Sequence, residues 1–108
     1  MITVIFKDTD LKELYETGIN KKYKKYSKDA LFLKRLRLVI NTIKAQNYTD
    51  ELFNISFLHY EQLKENLSGY YSVRIFNNRV ERLIFTQNDN KIEITLLELD
   101  NTHYGNKK

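Results

Sequence analysis

Two histidines, two strand arginines and a run of lysines are the residues of this chain whose types and spacing could do chemistry. An imidazole titrating at about 6.5 can give or take a proton near neutrality, and the only two are His59 and His103. A guanidinium offers a planar fork that can donate two hydrogen bonds to one phosphate; Arg74 and Arg82 are placed to do so if they lie on one face of a sheet. Tyr104, next to His103, could stack on a base or pass a proton. Lys-Lys-Tyr-Lys-Lys-Tyr at 21–26 interleaves charge with Tyr23 and Tyr26, so phosphates could be neutralised while a ring lies against a base or sugar. Residues 21–44 hold half of the 18 basic residues against a single acid, Asp29. Lys21, Lys22, Lys24, Lys25, Lys34 and Arg37 are therefore candidate RNA-binding residues. A solvated helix face with a lysine-rich loop accounts for the same charge run. A membrane surface fits less well, because it calls for a longer amphipathic helix.

Each candidate has a plainer competitor. His103 stands close to the carboxyl end, where polar tails fray. Arg74 could pair with Glu93 or Glu98 across a sheet, and Arg82 with solvent or the neighbours of Glu81. Tyr70 and Tyr71 fit half-buried sheet positions better than base-stacking platforms, and His59, in Phe57-Leu58-His59-Tyr60, fits a satisfied structural histidine. Glu98 and Asp100 could orient His103, although their spacing does not demand it.

Other chemistries are poorly supplied. With no cysteine, thiolate catalysis, disulfides and cysteine-ligated metals are excluded, and the cytoplasm is the compatible compartment. Three glycines, well apart, cannot build a phosphate-cradling loop, and no acidic cluster has the spacing of a metal site. No cofactor or metal is implied. The opening apolar stretch, Ile2 to Phe6, is too short for a secretory signal, and no run approaches membrane-spanning length.

At 108 residues the chain has room for one core, so every element must contribute to it. The organisation expected is a single α+β domain over residues 1–105 with a polar tail at 106–108. Residues 2–6 read as a strand. Asp8-Thr9-Asp10 can cap a helix with apolar positions at Leu11, Leu14 and Tyr15, and Gly18 can stop it. A second helix should run from near Ser27 to near Ala45, since Phe32, Leu33, Leu36, Val39, Ile40 and Ile43 fall within a stripe of roughly 120°. Lys34, Arg37, Asn41 and Lys44 form one flank. Leu31 and Leu38 sit nearly opposite the stripe and need a cover, which the first helix, in a helical hairpin, is the better candidate to supply; a protein partner is the other. From residue 54 the periodicity becomes two. Asn54–Leu58 and Tyr60–Lys64 read as short strands, and Gly69–Phe76, Arg82–Thr86 and Lys91–Leu99 as an antiparallel meander. Alternation puts Tyr71, Val73 and Ile75 on one face and Tyr70, Ser72 and Arg74 on the other, while Arg82 and Ile84 oppose Leu83 and Phe85. The helices would cover the dry face and leave Arg74 and Arg82 on the other.

The order of strand, helical hairpin and meander, with Leu11-Lys12-Glu13-Leu14-Tyr15-Glu16 near the start, resembles the HigB/RelE toxins of type II toxin–antitoxin pairs. Leu63-Lys64-Glu65-Asn66-Leu67-Ser68-Gly69-Tyr70-Tyr71-Ser72-Val73-Arg74-Ile75 followed by Arg82-Leu83-Ile84-Phe85 is similar to that family's "L-K-G-x-L-x-G-Y-Y-S-I-R-I … R-L-I-F" core. The ending Leu97 to Tyr104 resembles a family variant with a His-Tyr tail, with Asp100 set apart from His103. The resemblance implies a metal-independent endoribonuclease that cleaves messenger RNA on the ribosome, and a cognate antitoxin protein that holds it inactive. Under that implication His103 is the acid or base, Arg74 and Arg82 bind the phosphate, and Tyr104 stacks or transfers a proton. An acidic, helical antitoxin would suit both the basic surface and the Leu31/Leu38 edge. Two alternatives stay open: a DNA gyrase inhibitor of the ParE kind, which needs no nucleolytic residues, and an RNA- or ribosome-binding module without catalysis.

Overall fold

The computed structural model describes residues 1–102; the expected tail at 106–108 and the candidates His103 and Tyr104 lie outside the described residues. The chain folds as β1 (Thr3–Phe6), α1 (Thr9–Thr17), α2 (Lys24–Ser27), α3 (Ala30–Ala45), β2 (Glu61–Gln62), β3 (Tyr71–Arg74), β4 (Arg82–Gln87) and β5 (Glu93–Asp100). One sheet has the order β1-β5-β4-β3-β2. Its β2 to β5 pairs are antiparallel, while β1 returns to lie parallel to β5. The α+β class, the opening strand and the meander are those expected from the sequence. Among the described residues no helix is long and apolar enough to cross a membrane.

Local chemistry explains the first turn of the chain. Asp8 Oδ1 accepts from the Asp10 and Leu11 N–H groups, capping α1. Gly18, at φ 81°, ends it in the left-handed conformation, where a Cβ would also lie 3.2 Å from Arg37 Nη2. Leu11 and Leu14 are fully buried, and Tyr15 stacks on Phe6 with ring centres 5.5 Å apart.

The second helix divides. A short turn, α2, precedes α3, because Asp29 accepts from the Phe32 N–H and so starts a new helix at Ala30. Phe32, Leu36, Val39, Ile40 and Ile43 are fully buried against Val73, Ile75, Leu83, Phe85, Ile94 and Leu96 of the sheet. The helix α1 does not cover Leu31 and Leu38. It sits on the opposite flank, where Arg37 Nε donates to the Tyr15 carbonyl at 2.9 Å and the Tyr15 hydroxyl bonds to Asn41. Polar anchoring decides the side, and Leu31 and Leu38 stay 63% and 44% exposed.

The strand expected at Asn54–Leu58 is absent. Two 3₁₀ turns, Thr49–Asn54 and Ser56–Leu58, take its place. Leu52, Ile55 and Leu58 turn inward at intervals of three, the period of a 3₁₀ helix, and not two. Of Tyr60–Lys64 only Glu61 and Gln62 pair as a strand.

The lysine-rich segment is also built differently from its sequence pattern. Tyr23 and Tyr26 are buried, so neither ring can lie against a base. The Tyr23 hydroxyl donates to Asp8, and burial, then that carboxylate, raises its pKa. Burial alone would lift the Asp8 carboxyl, but the bonds from Tyr23 and the Leu11 N–H, with the charge of Lys22, outweigh it and hold its pKa below the ordinary value. The Tyr26 hydroxyl donates to buried Glu81 at 3.0 Å and its ring stacks on Phe32. Arg79 bridges Glu81 to Asp29 and lies over the Phe76 ring. These bonds tie the α2 segment and the start of α3 to the N-cap of α1 and to the β3–β4 turn.

Replacing Asp8 with alanine removes the helix cap and the Tyr23 acceptor together. Denaturant unfolding is expected to show a loss of about 2 kcal/mol, with Tyr23→Phe costing about half as much. Equal costs would show that the cap contributes nothing beyond the tyrosine bond.

Candidate functional site

The face of the sheet turned away from α3 carries the polar residues, because strand alternation sends Val73, Leu83 and Phe85 to the core and Ser72, Arg74, Arg82 and Ile84 to the other side. Register then places partners. Arg74 lies opposite Arg82, which lies opposite Asp100, giving a row across three strands. The neighbouring row is Glu61, Ser72, Ile84 and Glu98. A register shift after Ile84 inserts Leu97 as an extra residue in β5, so Leu99 and Leu96, an odd number apart, both reach the core while Asp100 stays opposite Arg82.

Arg82 lies low on the sheet, 6% exposed, with Nε donating to Asp100 Oδ2 at 3.0 Å. Asp100 Oδ1 also accepts from the Thr102 N–H and hydroxyl. Burial pushes the Asp100 carboxyl up, but the Thr102 bonds and Arg82 together hold its pKa below the ordinary carboxylate value. Arg74 pairs with neither Glu93 nor Glu98; its Nη1 donates to the Arg79 carbonyl at 2.8 Å. Likewise Arg82 pairs with Asp100 and not with the neighbours of Glu81, which points to the helical side.

Two adjoining hollows share Arg82, Leu63 and Leu67. One, of about 400 Å³, is lined also by Glu61, Lys64 and Glu65. The other, of about 190 Å³, is lined also by Ile84, Glu98, Asp100 and Thr102. Glu61 was not singled out in the sequence, where it lies in a weak strand; only its pairing with Ser72 puts its carboxylate on the face of Arg82. Glu65 stands at φ 58°, a left-handed conformation that costs a residue with a Cβ about 1 kcal/mol or more.

The remaining candidates are dispersed. Lys21, Lys22, Lys24 and Lys25 are exposed around α2, and Lys22 reaches a hollow shared with Lys7 and Glu98 at the border of the open face. Lys34 is exposed on α3, on the helical side, and half-buried Arg37 holds the Tyr15 carbonyl. The six basic candidates therefore do not form one surface with Arg74 and Arg82. His59 Nε2 lies 2.9 Å from Asn77 Oδ1, a satisfied histidine as expected. Tyr71 is half-buried, stacked with Tyr60 and Phe85. Among the described residues no group of three or more His, Asp or Glu could hold a metal ion.

No protein-family model matches the chain, and no curated protein matches it. Solved structures do. The YoeB–YefM complex from Staphylococcus aureus aligns over 93% of this chain and 95% of that one, with 23% identity and a TM-score of 0.56. A YoeB/ParE toxin from Agrobacterium tumefaciens aligns over 94% and 99%, with 14% identity and a TM-score of 0.59. The chain has the YoeB toxin fold. Within that fold the Arg74–Arg82–Asp100 row occupies the open face of the meander, and the helices close the other.

Two stability measurements probe this face. Asp100→Asn removes the charge facing Arg82, and the expected loss at neutral pH is about 1.5–3 kcal/mol. Because the folded-state pKa is depressed, that contribution is complete above the ordinary value of 3.8 and is lost as pH falls through the lower folded value. The stability curves of wild type and variant should converge in acid; a gap independent of pH would refute the ion-pair origin. Glu65→Gly should instead raise stability by about 1 kcal/mol by relieving the left-handed backbone, and a loss would show that its side chain makes a stabilising contact.

Proposed function

We propose that this chain is the toxin of a HigB/RelE-type toxin–antitoxin pair, a cytoplasmic, metal-independent endoribonuclease that cuts messenger RNA on the ribosome and is held inactive by its cognate antitoxin. The observation that carries the reading is the Arg82–Asp100 pair, with Arg82 shared by two adjoining hollows, one lined by Glu61 and the other by Asp100, on the open face of a YoeB fold. The resemblance of the Leu63–Ile75 segment and the His103-Tyr104 tail supports it further.

The reaction needs few parts. A ribose 2′-hydroxyl attacks the adjacent phosphorus, its proton passes to a base, and the P–O bond to the 5′-oxygen breaks as that oxygen receives a proton. The products are a 2′,3′-cyclic phosphate and a 5′-hydroxyl. Charge accumulates on the non-bridging oxygens, where a cation fixed in advance stabilises the transition state more than the substrate. In this reading Arg82, kept in place by Asp100, and Arg74 supply that charge. Glu61 and His103 are the proton acceptor and donor, and Tyr104 packs against a base. In this reading the ribosome holds the message as a single strand, so the toxin itself need hold only a few nucleotides. Lys21, Lys22, Lys24 and Lys25 would then meet ribosomal RNA phosphates as point charges, since their neighbouring tyrosines are buried.

A second reading is gyrase inhibition, favoured by the likeness to the Agrobacterium protein described as a YoeB/ParE toxin. Growth arrest alone would not separate the two. Induced expression followed by primer-extension mapping should show breaks within translated reading frames, reduced about 100- to 1,000-fold by Arg74→Ala and by His103→Ala in chains that melt like wild type. Arrest with intact messages would favour gyrase. Full cleavage by either variant would remove that residue from the site.

A further inference from the structure

Arg74 and Arg82 stand directly opposite one another on β3 and β4, and like charges at opposed strand positions repel. Repulsion alone would turn Arg74 outward, away from its neighbour. Its side chain is instead tethered, with Nη1 donating to the Arg79 carbonyl at 2.8 Å. That carbonyl belongs to the connection 75–81 between the two strands, which is longer than the roughly two to five residues usual in a hairpin and has no tight turn to fix it. Its position comes from side chains. Arg35 Nε donates to the Ile75 carbonyl at 2.7 Å, and His59 Nε2 lies 2.9 Å from Asn77 Oδ1. The strongest hold is at Arg79 itself. Its Nε and Nη2 meet the two carboxylate oxygens of buried Glu81 at 3.2 and 3.4 Å, and Nη1 and Nη2 reach the Asp29 carboxylate, the cap of α3, at 3.4 Å. The guanidinium also lies 4.6 Å from the centre of the Phe76 ring and 5.6 Å from that of Phe32. One residue therefore gives its side chain to the helical layer and its carbonyl to an arginine of the open face.

We propose that Arg79 is a positioning residue for Arg74: clamped between Glu81 and Asp29, it fixes the β3–β4 connection so that its carbonyl keeps the Arg74 guanidinium in the row opposite Arg82. The carbonyl engages Nη1 and leaves the Nε–Nη2 edge as the two-donor fork that a phosphate calls for. A cation held in place beforehand loses little side-chain freedom on meeting its anion, and it stabilises charge that develops in a transition state without reorganising. The polar cluster of the helical layer, in which the Tyr26 hydroxyl also donates to Glu81, thus sets the geometry of a side chain on the far side of the sheet. The consequence for cleavage rests on the reaction proposed above; the tether does not.

The test reads the Arg74 side chain directly, by nuclear magnetic resonance of the isotopically labelled full-length chain. In wild type the two Nη groups of Arg74, assigned by their loss in Arg74→Lys, should give separate signals, because the bond to the carbonyl slows rotation about Nε–Cζ. Arg79→Ala should merge them, while the Arg82 signals, held through Asp100, stay as in wild type. That variant leaves the Glu81 carboxylate buried without its ion pair, so a second one, Arg79→Gln with Glu81→Gln, removes both charges together and avoids the unpaired buried charge. The same merging is expected there. Message cleavage on translating ribosomes should fall about 10- to 100-fold in either variant. Adding Arg74→Ala should lower it no further than Arg74→Ala alone, because both changes act through one guanidinium; a role confined to stability would not produce that pattern. Separate Arg74 signals in the folded variants, or losses that multiply with that of Arg74→Ala, would overturn the proposal. If wild type cuts no message, the cleavage reading fails, and the Arg74 signals still decide whether Arg79 holds that side chain.

Discussion

The register between β4 and β5 sets Arg82 opposite Asp100, and which side chains of both strands face the core or the open side follows from that alignment. A one-residue slip would turn every side chain of one strand to the other face, sending Leu83 and Phe85 to water and Arg82 to the core. The bulge at Leu97 keeps both ends of β5 consistent with that requirement. It lets Ile94, Leu96 and Leu99 stay buried although their spacing is not uniform. Without it, either Leu99 would leave the core or Asp100 would leave Arg82. The catalytic proposal and the stability of the sheet thus depend on the same local irregularity.

The helical layer obeys a different constraint, the satisfaction of buried polar groups. Glu81 and Asp8 each take a tyrosine hydroxyl, and Arg79 joins Glu81 to Asp29. These bonds span long stretches of chain and fix where the lysine segment sits. They also explain how four exposed lysines can stand beside two buried rings. Each tyrosine turns its aromatic surface to the core and its hydroxyl to an acid, while the lysines stay exposed, Lys22 reaching Asp8 and Lys22 and Lys25 lying over the Tyr23 and Tyr26 rings.

Much of the architecture was legible in the sequence because it depends on local pattern. The Asp8 cap, the Gly18 stop, the α3 stripe and the placement of Arg74 and Arg82 on one face follow from spacing alone. What was not legible depends on partners distant in sequence. Asp100 could be seen as a neighbour of His103 but not as the partner of Arg82, since that needs the bulge. Glu61 joins the site only through its pairing with Ser72. Tyr23 and Tyr26 looked outward because Asp8 and Glu81 are invisible from their own segment. The Asn54–Leu58 stretch misled because Leu52, Ile55 and Leu58 repeat every three residues, between the periods of strand and α-helix. The side chosen by α1 turned on Arg37 and Asn41, which spacing marks only as polar.

The central claim is that the open face cuts RNA by internal attack of the 2′-hydroxyl, and the chemistry of the cut ends tests it most directly. Purified chain should be added to ribosomes translating an end-labelled message, and both fragment termini identified. The account predicts a 2′,3′-cyclic phosphate on the upstream fragment and a 5′-hydroxyl on the downstream one, formed only when ribosomes are present. A 3′-hydroxyl with a 5′-phosphate, or a message left whole while DNA supercoiling by gyrase is blocked, would contradict it.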